Sequence, residues 1–288
     1  MAIRAVYSDL DGTMVGPGGS FFRAEDASQT LEPARALVEL HEAGIALILV
    51  SGRTRPQLVE ASRIFGADGF IAELGAVIGW EAGRRSQVLA GEMPPAYAGT
   101  PVQVMESLGV VTRLIERYEG RLEYHSPWHE GHEVDVMLRG RVDVAEAQGW
   151  LAGQGLGWLR LRDNGVLPAR RATGLDPVAV PAHVYHLMPA GLSKGRAVAA
   201  DLERRGLRSL EALAIGDSAS DMDMAAYVGS LWLTANGARH EDMRTLIAGR
   251  SNVQVARAAM GLGWAEAVRA AIGAGATTGA GAGAGAGG

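Results

Sequence analysis

Asp9-Leu-Asp-Gly-Thr sets two carboxylates one residue apart, where an apolar run over residues 3–8 breaks into a glycine turn. One carboxylate of such a pair can attack an electrophile while the other handles protons, and both lie close enough to hold a divalent cation. A second position stands out for its chemistry. Lys194 is the only lysine in 288 residues, although Lys and Arg together number 27. A chain that uses arginine everywhere else keeps a single compact ammonium, which suits a point charge at short reach and not a planar fork.

These groups need elements that bring them together. Residues 3–9 and 45–51 are continuous apolar runs ending in polar residues, the pattern of strands buried on both faces of a parallel sheet. Between them residues 32–43 read as an amphipathic helix stopped by Gly44, followed by a helix over 55–65 and a strand region over 69–78. After Arg84 the pattern becomes helix–strand–strand, repeated twice. The helices fall at 102–118 and 144–151, and the strands at 122–125, 133–138, 158–162 and 184–187. That is an open-faced α+β layer and not more parallel sheet. The first pattern then resumes, with helices at 193–205, 221–228 and 264–272 and strands at 212–217 and 231–235. The expectation is an α/β fold with a parallel-sheet core of residues 1–83 and 187–272. An inserted α+β cap spans 84–186, and a disordered Gly/Ala tail spans 273–288.

Composition narrows the function classes. Hydrophobic residues make up 48% and charged residues 20%, an ordinary balance for a globular protein. A net charge of −5 argues against a nucleic-acid partner. The absence of cysteine excludes disulfides, thiolate metal sites and a cysteine nucleophile. No apolar run approaches the ~20 residues of a membrane helix. The first strand starts within three residues of Met1, leaving no room for a signal peptide, so a soluble cytoplasmic protein is expected.

In open parallel α/β sheets, ligands bind beyond the carboxyl ends of the strands. Those ends supply Asp9 and Asp11, then Ser51-Gly52-Arg53, then Asp217-Ser218 with Asp221 four residues on, while Lys194 opens a helix. The set meets the needs of phosphoryl transfer. An anionic nucleophile approaching a phosphate dianion must overcome charge repulsion, which Mg²⁺ and an ammonium relieve while backbone N–H groups hold the remaining oxygens.

With these four segments the chain resembles the haloacid dehalogenase superfamily hydrolases. More narrowly it is similar to the Cof-type and sucrose-phosphatase-like sugar phosphatases, which carry a large cap between their second and third motifs. The motifs here are Asp9-Leu-Asp-Gly-Thr, Ser51-Gly-Arg, Lys194 within Leu-Ser-Lys-Gly, and Gly216-Asp-Ser-Ala-Ser-Asp. The resemblance implies a Rossmann-like core and a Mg²⁺-dependent phosphatase working through an aspartyl-phosphate. The expected substrate is a small phosphate ester, a sugar phosphate or a phosphoglycerate-type glycoside. The resemblance also implies Asp9 as nucleophile and Asp11 as general acid and base. Asp9, the backbone carbonyl of Asp11 and Asp217 would ligate Mg²⁺. Ser51, Gly52 and Lys194 would hold phosphate oxygens, and Asp221 would orient Lys194 or the waters of the metal. A phosphomutase acting on sugar phosphates is the enzymatic alternative, and a non-catalytic sugar-phosphate-binding regulator is the other.

Two positions depart from the family pattern. Ser220 stands where many relatives carry Asn before the last Asp of the fourth motif, and Leu74 stands where relatives often show Asn in Glu-Asn-Gly-Ala. Weaker signals accompany these. His125, His129 and His132 cluster within the cap, as a loop facing substrate, a solvated hairpin or a loose zinc site. Arg84-Arg85, Arg170-Arg171 and Arg204-Arg205 read as solvated faces or hinge charges. Asn236-Gly237 ends a strand, either reaching the substrate or forming a turn.

Overall fold

The computed structural model describes residues 2–167, 174–178, 180–239 and 241–279. The chain forms two compact units, one from the chain up to Gln87 and from Ser193 onward, the other Val88–Leu192. The first unit opens with β1 (Ala5–Ser8), α1 (Glu32–Glu42), β2 (Ala46–Val50), α2 (Arg55–Phe65), β3 (Gly69–Ala72), β4 (Val77–Trp80) and β5 (Arg85–Val88). The second contains α3 (Pro101–Ser107), α4 (Val110–Arg117), β6 (Leu122–Tyr124), β7 (Val136–Gly140), α5 (Val144–Gly153), β8 (Leu159–Val166) and β9 (His183–Pro189). The first unit resumes with α6 (Lys194–Arg205), β10 (Ala212–Gly216), β11 (Ser230–Leu233), α7 (Ala235–Ala238), α8 (Glu241–Ile247), β12 (Val253–Val255) and α9 (Met260–Gly279).

The first unit is built on one sheet of order β12-β11-β10-β1-β2-β3-β4-β5. It is parallel from β12 to β3, and β4 runs antiparallel to β3. Every residue of β1 and β10 is buried, which is why both read as unbroken apolar runs. Register decides what the sheet can present. Ser8 pairs with both Leu49 of β2 and Ile215 of β10, so all three strands end at one level. Buried Asp201 on α6 accepts the Tyr7 hydroxyl (2.9 Å) and is gripped by Arg204 and Arg205 (2.6 Å each). Arg204 stays exposed and Arg205 is half-buried, yet both cations are paired and make burial of that carboxylate tolerable. Arg170-Arg171 lie outside the described residues.

The second unit is an antiparallel sheet of order β6-β7-β9-β8 with α3, α4 and α5 packed on it through Val104, Leu114, Tyr118, Leu138, Leu151 and Leu187. Buried Asp135 lies between two imidazoles. Its Oδ1 is 2.5 Å from His132 Nδ1, and its Oδ2 is hydrogen-bonded to His186 Nδ1. Burial pushes that carboxyl upward, but the two imidazoles outweigh it and hold Asp135 below the ordinary carboxylate range. His132 Nε2 meets the Trp128 carbonyl oxygen at 3.1 Å. His132 thus lies between two oxygen acceptors inside the insert. Among the described residues, His125, His129 and His132 do not bring three ligand atoms together, so the loose zinc site does not form.

Several boundaries differ from those read in the sequence. The insert is Val88–Leu192 and not 84–186, because β5 adds an edge strand to the first sheet and β9 runs on to Pro189 in the second. The expected helix over 102–118 is two helices broken at Gly109, which adopts φ 60°. The strand region 69–78 is two antiparallel strands around a tight turn, and 221–228 contains only a short 3₁₀ turn over Met222–Ala226. Helix α9 continues to Gly279, so the first residues of the expected disordered tail are helical, as its alanines favour. The remainder of that tail lies outside the described residues. No described helix is long and apolar enough to cross a membrane.

Candidate active site

The shared level of β1, β2 and β10 places Asp9, Ser51 and Asp217 at adjoining strand ends. Asp9 N–H still donates to Ile215 O (2.9 Å) and Ser51 N–H to Ile71 O (2.9 Å), so both side chains issue from backbone that the sheet holds. Lys194 is the first residue of α6. Ser193 caps that helix by accepting from Arg196 N–H, which fixes where the lysine leaves the backbone.

Lys194 Nζ lies 2.8 Å from Asp9 Oδ1 and 2.6 Å from Asp221 Oδ1. Lys194 is 3% exposed and Asp9 5%, so the contact is made out of water. The two oxygens of Asp221 are fully engaged. Oδ1 takes the ammonium, and Oδ2 accepts from Asp217 N–H (3.0 Å), Ser218 N–H (2.9 Å) and the Ser218 hydroxyl (2.7 Å). Asp221 is therefore held through both of its oxygens. Ser220 Oγ is spent on Ser218 Oγ at 2.9 Å.

Asp217 is placed differently. Thr13 Oγ1 donates to its Oδ1 (3.3 Å) and Asn236 Nδ2 to its Oδ2 (3.1 Å). Asn236 Nδ2 also reaches Gly12 O (2.9 Å), and Met260 N–H, at the start of α9, donates to Asn236 Oδ1 (2.8 Å). From the same helix Trp264 Nε1 donates to Ser8 Oγ (2.8 Å), whose hydroxyl donates to Asp9 O (2.8 Å). Gly12 adopts φ +85°, and a Cβ there would stand 2.2 Å from Asp217 Oδ2. Glycine is thus needed at 12 twice over, for the turn and for the carboxylate lying against it.

The turn Glu73–Gly75 ties Ser51 to Lys194. Leu74 N–H donates to Ser51 O (3.2 Å), and a Cβ on Gly75 would strike Ser193 O at 2.2 Å. Glu73 and Leu74 both hold positive φ, 50° and 54°. Leu74 is buried in a left-handed conformation that Asn tolerates better, at a cost of about 1–2 kcal/mol.

Charge explains the chemistry available. Burial pushes Asp9 up to about 7 against the pull of Lys194, with Asp221 adding to the rise. Burial, then Asp9 and Asp221, likewise raise Asp217 well above the carboxylate range. Burial by itself lowers Lys194, yet Asp221 and Asp9 together raise it, so the ammonium is kept. Three grouped carboxylates, two of them buried, against one ammonium leave a deficit of positive charge. Ligand oxygens of Asp9, Asp217 and Asp221 lie within 4.8 Å of one another, a hard-oxygen donor set suited to a divalent cation.

The side chain of Asp11 lies outside that group. It is 55% exposed and gripped by Arg53, with Nε 2.8 Å from Oδ2 and Nη2 2.7 Å from Oδ1. The expected metal ligand at this position is its backbone carbonyl, not its carboxylate. Reading by motif missed Arg53, Thr13, and the Asn236 contact to Asp217. Asn236-Gly237 had been singled out, and Arg53 stands inside the second motif.

No family model matches the chain. It is 28% identical over 257 residues to the phosphoglycolate phosphatase of Methanospirillum hungatei, covering 85% of this chain and 88% of that one. The solved sucrose-phosphatase of Synechocystis, in complex with sucrose and phosphate, is similar over 94% of this chain and 98% of its own, with 15% identity and a TM-score of 0.62. A phosphatase of the haloalkanoate (HAD) enzyme superfamily from Bacteroides thetaiotaomicron is similar over 95% and 96%, with 17% identity and a TM-score of 0.61. The likeness to these solved structures is one of fold.

Proposed function

We propose that this chain, whose fold is similar to that of haloacid dehalogenase superfamily phosphatases, is a Mg²⁺-dependent phosphatase acting on a small phosphorylated metabolite. The observation that carries the reading is Asp9 at the end of β1, buried, with the only lysine of the chain held between it and Asp221. In this reading a carboxylate oxygen of Asp9 attacks phosphorus and the bond to the leaving oxygen breaks, with Asp11 supplying the proton. Water then attacks the phosphorus of the aspartyl-phosphate, Asp11 takes its proton, and Asp9 and inorganic phosphate are released. Ser51, Gly52 and Lys194 hold the phosphoryl oxygens, and Asp221 aims Lys194. Asp9, Asp217 and the Asp11 carbonyl would hold Mg²⁺, which supplies charge neutralisation where the two anions meet.

The name of the M. hungatei relative makes phosphoglycolate the first ester to test, ahead of a sugar phosphate. The test is phosphate release from phosphoglycolate, sugar phosphates, phosphoglycerates and nucleotides, with Mg²⁺ and with EDTA. Release from a small ester that EDTA abolishes is the expected result. Interconversion of sugar phosphates without release would replace this reading with the phosphomutase, and binding without either reaction would replace it with the regulator.

Metal binding has its own signature. With Asp9 raised to about 7 and Asp217 raised as well, the folded chain binds more protons than the unfolded one between the ordinary carboxylate range and about pH 7. Metal-free stability therefore falls as pH rises through that window. Mg²⁺ competes with those protons, so the gain in Tm on adding it to EDTA-treated protein is expected to be larger at pH 8 than at pH 5. An equal gain at both would take the metal away from these carboxylates.

A further inference from the structure

We infer that Asn236 is a positioning residue for the cation, which sets how tightly Mg²⁺ is held by fixing two of its ligands at once; this rests on the phosphatase reading above. The two ligands come from separate strand ends, the Asp217 carboxylate beyond β10 and the Asp11 carbonyl beyond β1. One amide serves both. Asn236 Nδ2 donates to Asp217 Oδ2 at 3.1 Å and to Gly12 O at 2.9 Å. On its other side, Gly12 N–H donates to Val15 O at 3.2 Å. Gly12 is thus anchored through both of its peptides. The one before it carries the Asp11 carbonyl, which in a trans peptide must point opposite to the Gly12 N–H.

The amide is itself held in one orientation. Its Oδ1 accepts from Met260 N–H at 2.8 Å, so a flip would turn Nδ2 toward a donor and Oδ1 toward two acceptors. The backbone around it is tied down as well. Thr234 N–H donates to Gly216 O (3.0 Å), the residue before Asp217, and Ala235 N–H donates to Ala258 O (3.0 Å), just ahead of α9. Gly237 lies so close to the fourth motif that a Cβ there would stand 2.0 Å from Asp217 O. Met260 adopts φ 49°, a left-handed conformation unfavourable for a residue with a side chain. Strain at the one residue that orients the amide marks that orientation as functional.

Charge explains why an amide stands here. Asp217 accepts one hydrogen bond at each oxygen, from the Thr13 hydroxyl and from Asn236, and each carboxylate oxygen keeps a second lone pair for a cation. Both donors are neutral, so the carboxylate is aimed without its charge being spent. A lysine or arginine at 236 would compete with the metal for it. A residue without a donor would free the carboxylate to turn and leave Gly12 O without this partner. The arriving ion would then have to order both ligands, and its affinity would fall.

The test measures the Mg²⁺ Kd of EDTA-treated full-length protein by calorimetry, with phosphate release followed over a range of Mg²⁺ concentrations, for wild type, N236A and N236S. N236A is expected to raise the Kd about 10- to 100-fold, the usual scale for losing a group that orients a metal ligand. Its kcat at saturating Mg²⁺ is expected to fall less than about fivefold, because the bound ion restores the arrangement of its ligands. N236S, whose hydroxyl can donate to one of the two acceptors but not both, is expected to fall between, and it carries the comparison if N236A does not fold. A lower metal-free Tm with an unchanged Kd would make Asn236 merely structural and overturn the inference. A loss of kcat that saturating Mg²⁺ does not recover would overturn it too, by placing Asn236 in the chemical step. Wild type that neither binds Mg²⁺ nor releases phosphate in its presence would overturn the phosphatase reading itself.

Discussion

Asp9→Asn is expected to lower phosphate release at least about 10⁴-fold, because an amide oxygen is too poor a nucleophile to displace the leaving group. The variant should still fold. Asn keeps the shape of Asp, and its Oδ1 can accept the hydrogen bond that Asp9 Oδ1 takes from Lys194 at 2.8 Å. It also removes a charge that burial resists, since Asp9 is pushed up to about 7. At pH 8 without metal, Asp9→Asn is therefore expected to melt no lower than wild type while losing most of the Mg²⁺-dependent gain in Tm. Activity within tenfold of wild type would remove Asp9 from the chemical step. A stable, active variant that still gained stability from Mg²⁺ would refute both assignments.

Lys194→Arg carries the second large effect, and it separates charge from shape. Arginine keeps the positive charge but is longer and planar, and the space between Asp9 and Asp221 is tight, with Lys194 only 3% exposed. A fork drawn to Asp221 cannot also bring a point charge to a phosphoryl oxygen. The expected loss is about 10²- to 10³-fold in kcat, comparable to removing one preorganised donor to a developing anion. Lys194→Met goes further, leaving buried Asp9 and Asp221, with Asp217 beside them, without the ammonium. It is expected to cost roughly 3–5 kcal/mol of metal-free stability, read as a fall in denaturant midpoint that Mg²⁺ partly restores. Retention of full activity by Lys194→Arg would show that the ammonium does not touch the phosphoryl group.

The positions at the ends of β1, β2, β10 and at the start of α6 were legible because each motif is local: the strand pattern, the turn and the polar residue follow one another in the chain. What was not legible depends on side chains meeting across long separations. Asn236 holds Asp217 only because β11 lies beside β10, and the turn after it could equally have faced solvent. Arg53 looked like the last letter of a motif, and its grip on Asp11 depends on two side-chain conformations that no spacing encodes. His186 is 51 residues from Asp135, so the pairing of that carboxylate with His132 and His186 has no local signal in the sequence. The edge strands β5 and β12 escaped notice because they are short and partly exposed, and lack the apolar run that betrays a central strand.

Helix α9 brings a matter of timing. Trp264 reaches Ser8 across 256 residues, and Met260 sets the amide of Asn236 that holds Asp217. The strand that bears Asp9 is made long before the helix that completes its support. A nascent chain still tethered to the ribosome can assemble the central strands, yet Ser8 and Asn236 must wait for partners not yet synthesised. Competence is thus deferred until α9 has been made, and a polypeptide that stopped before it would lack the partners of Ser8 and Asn236.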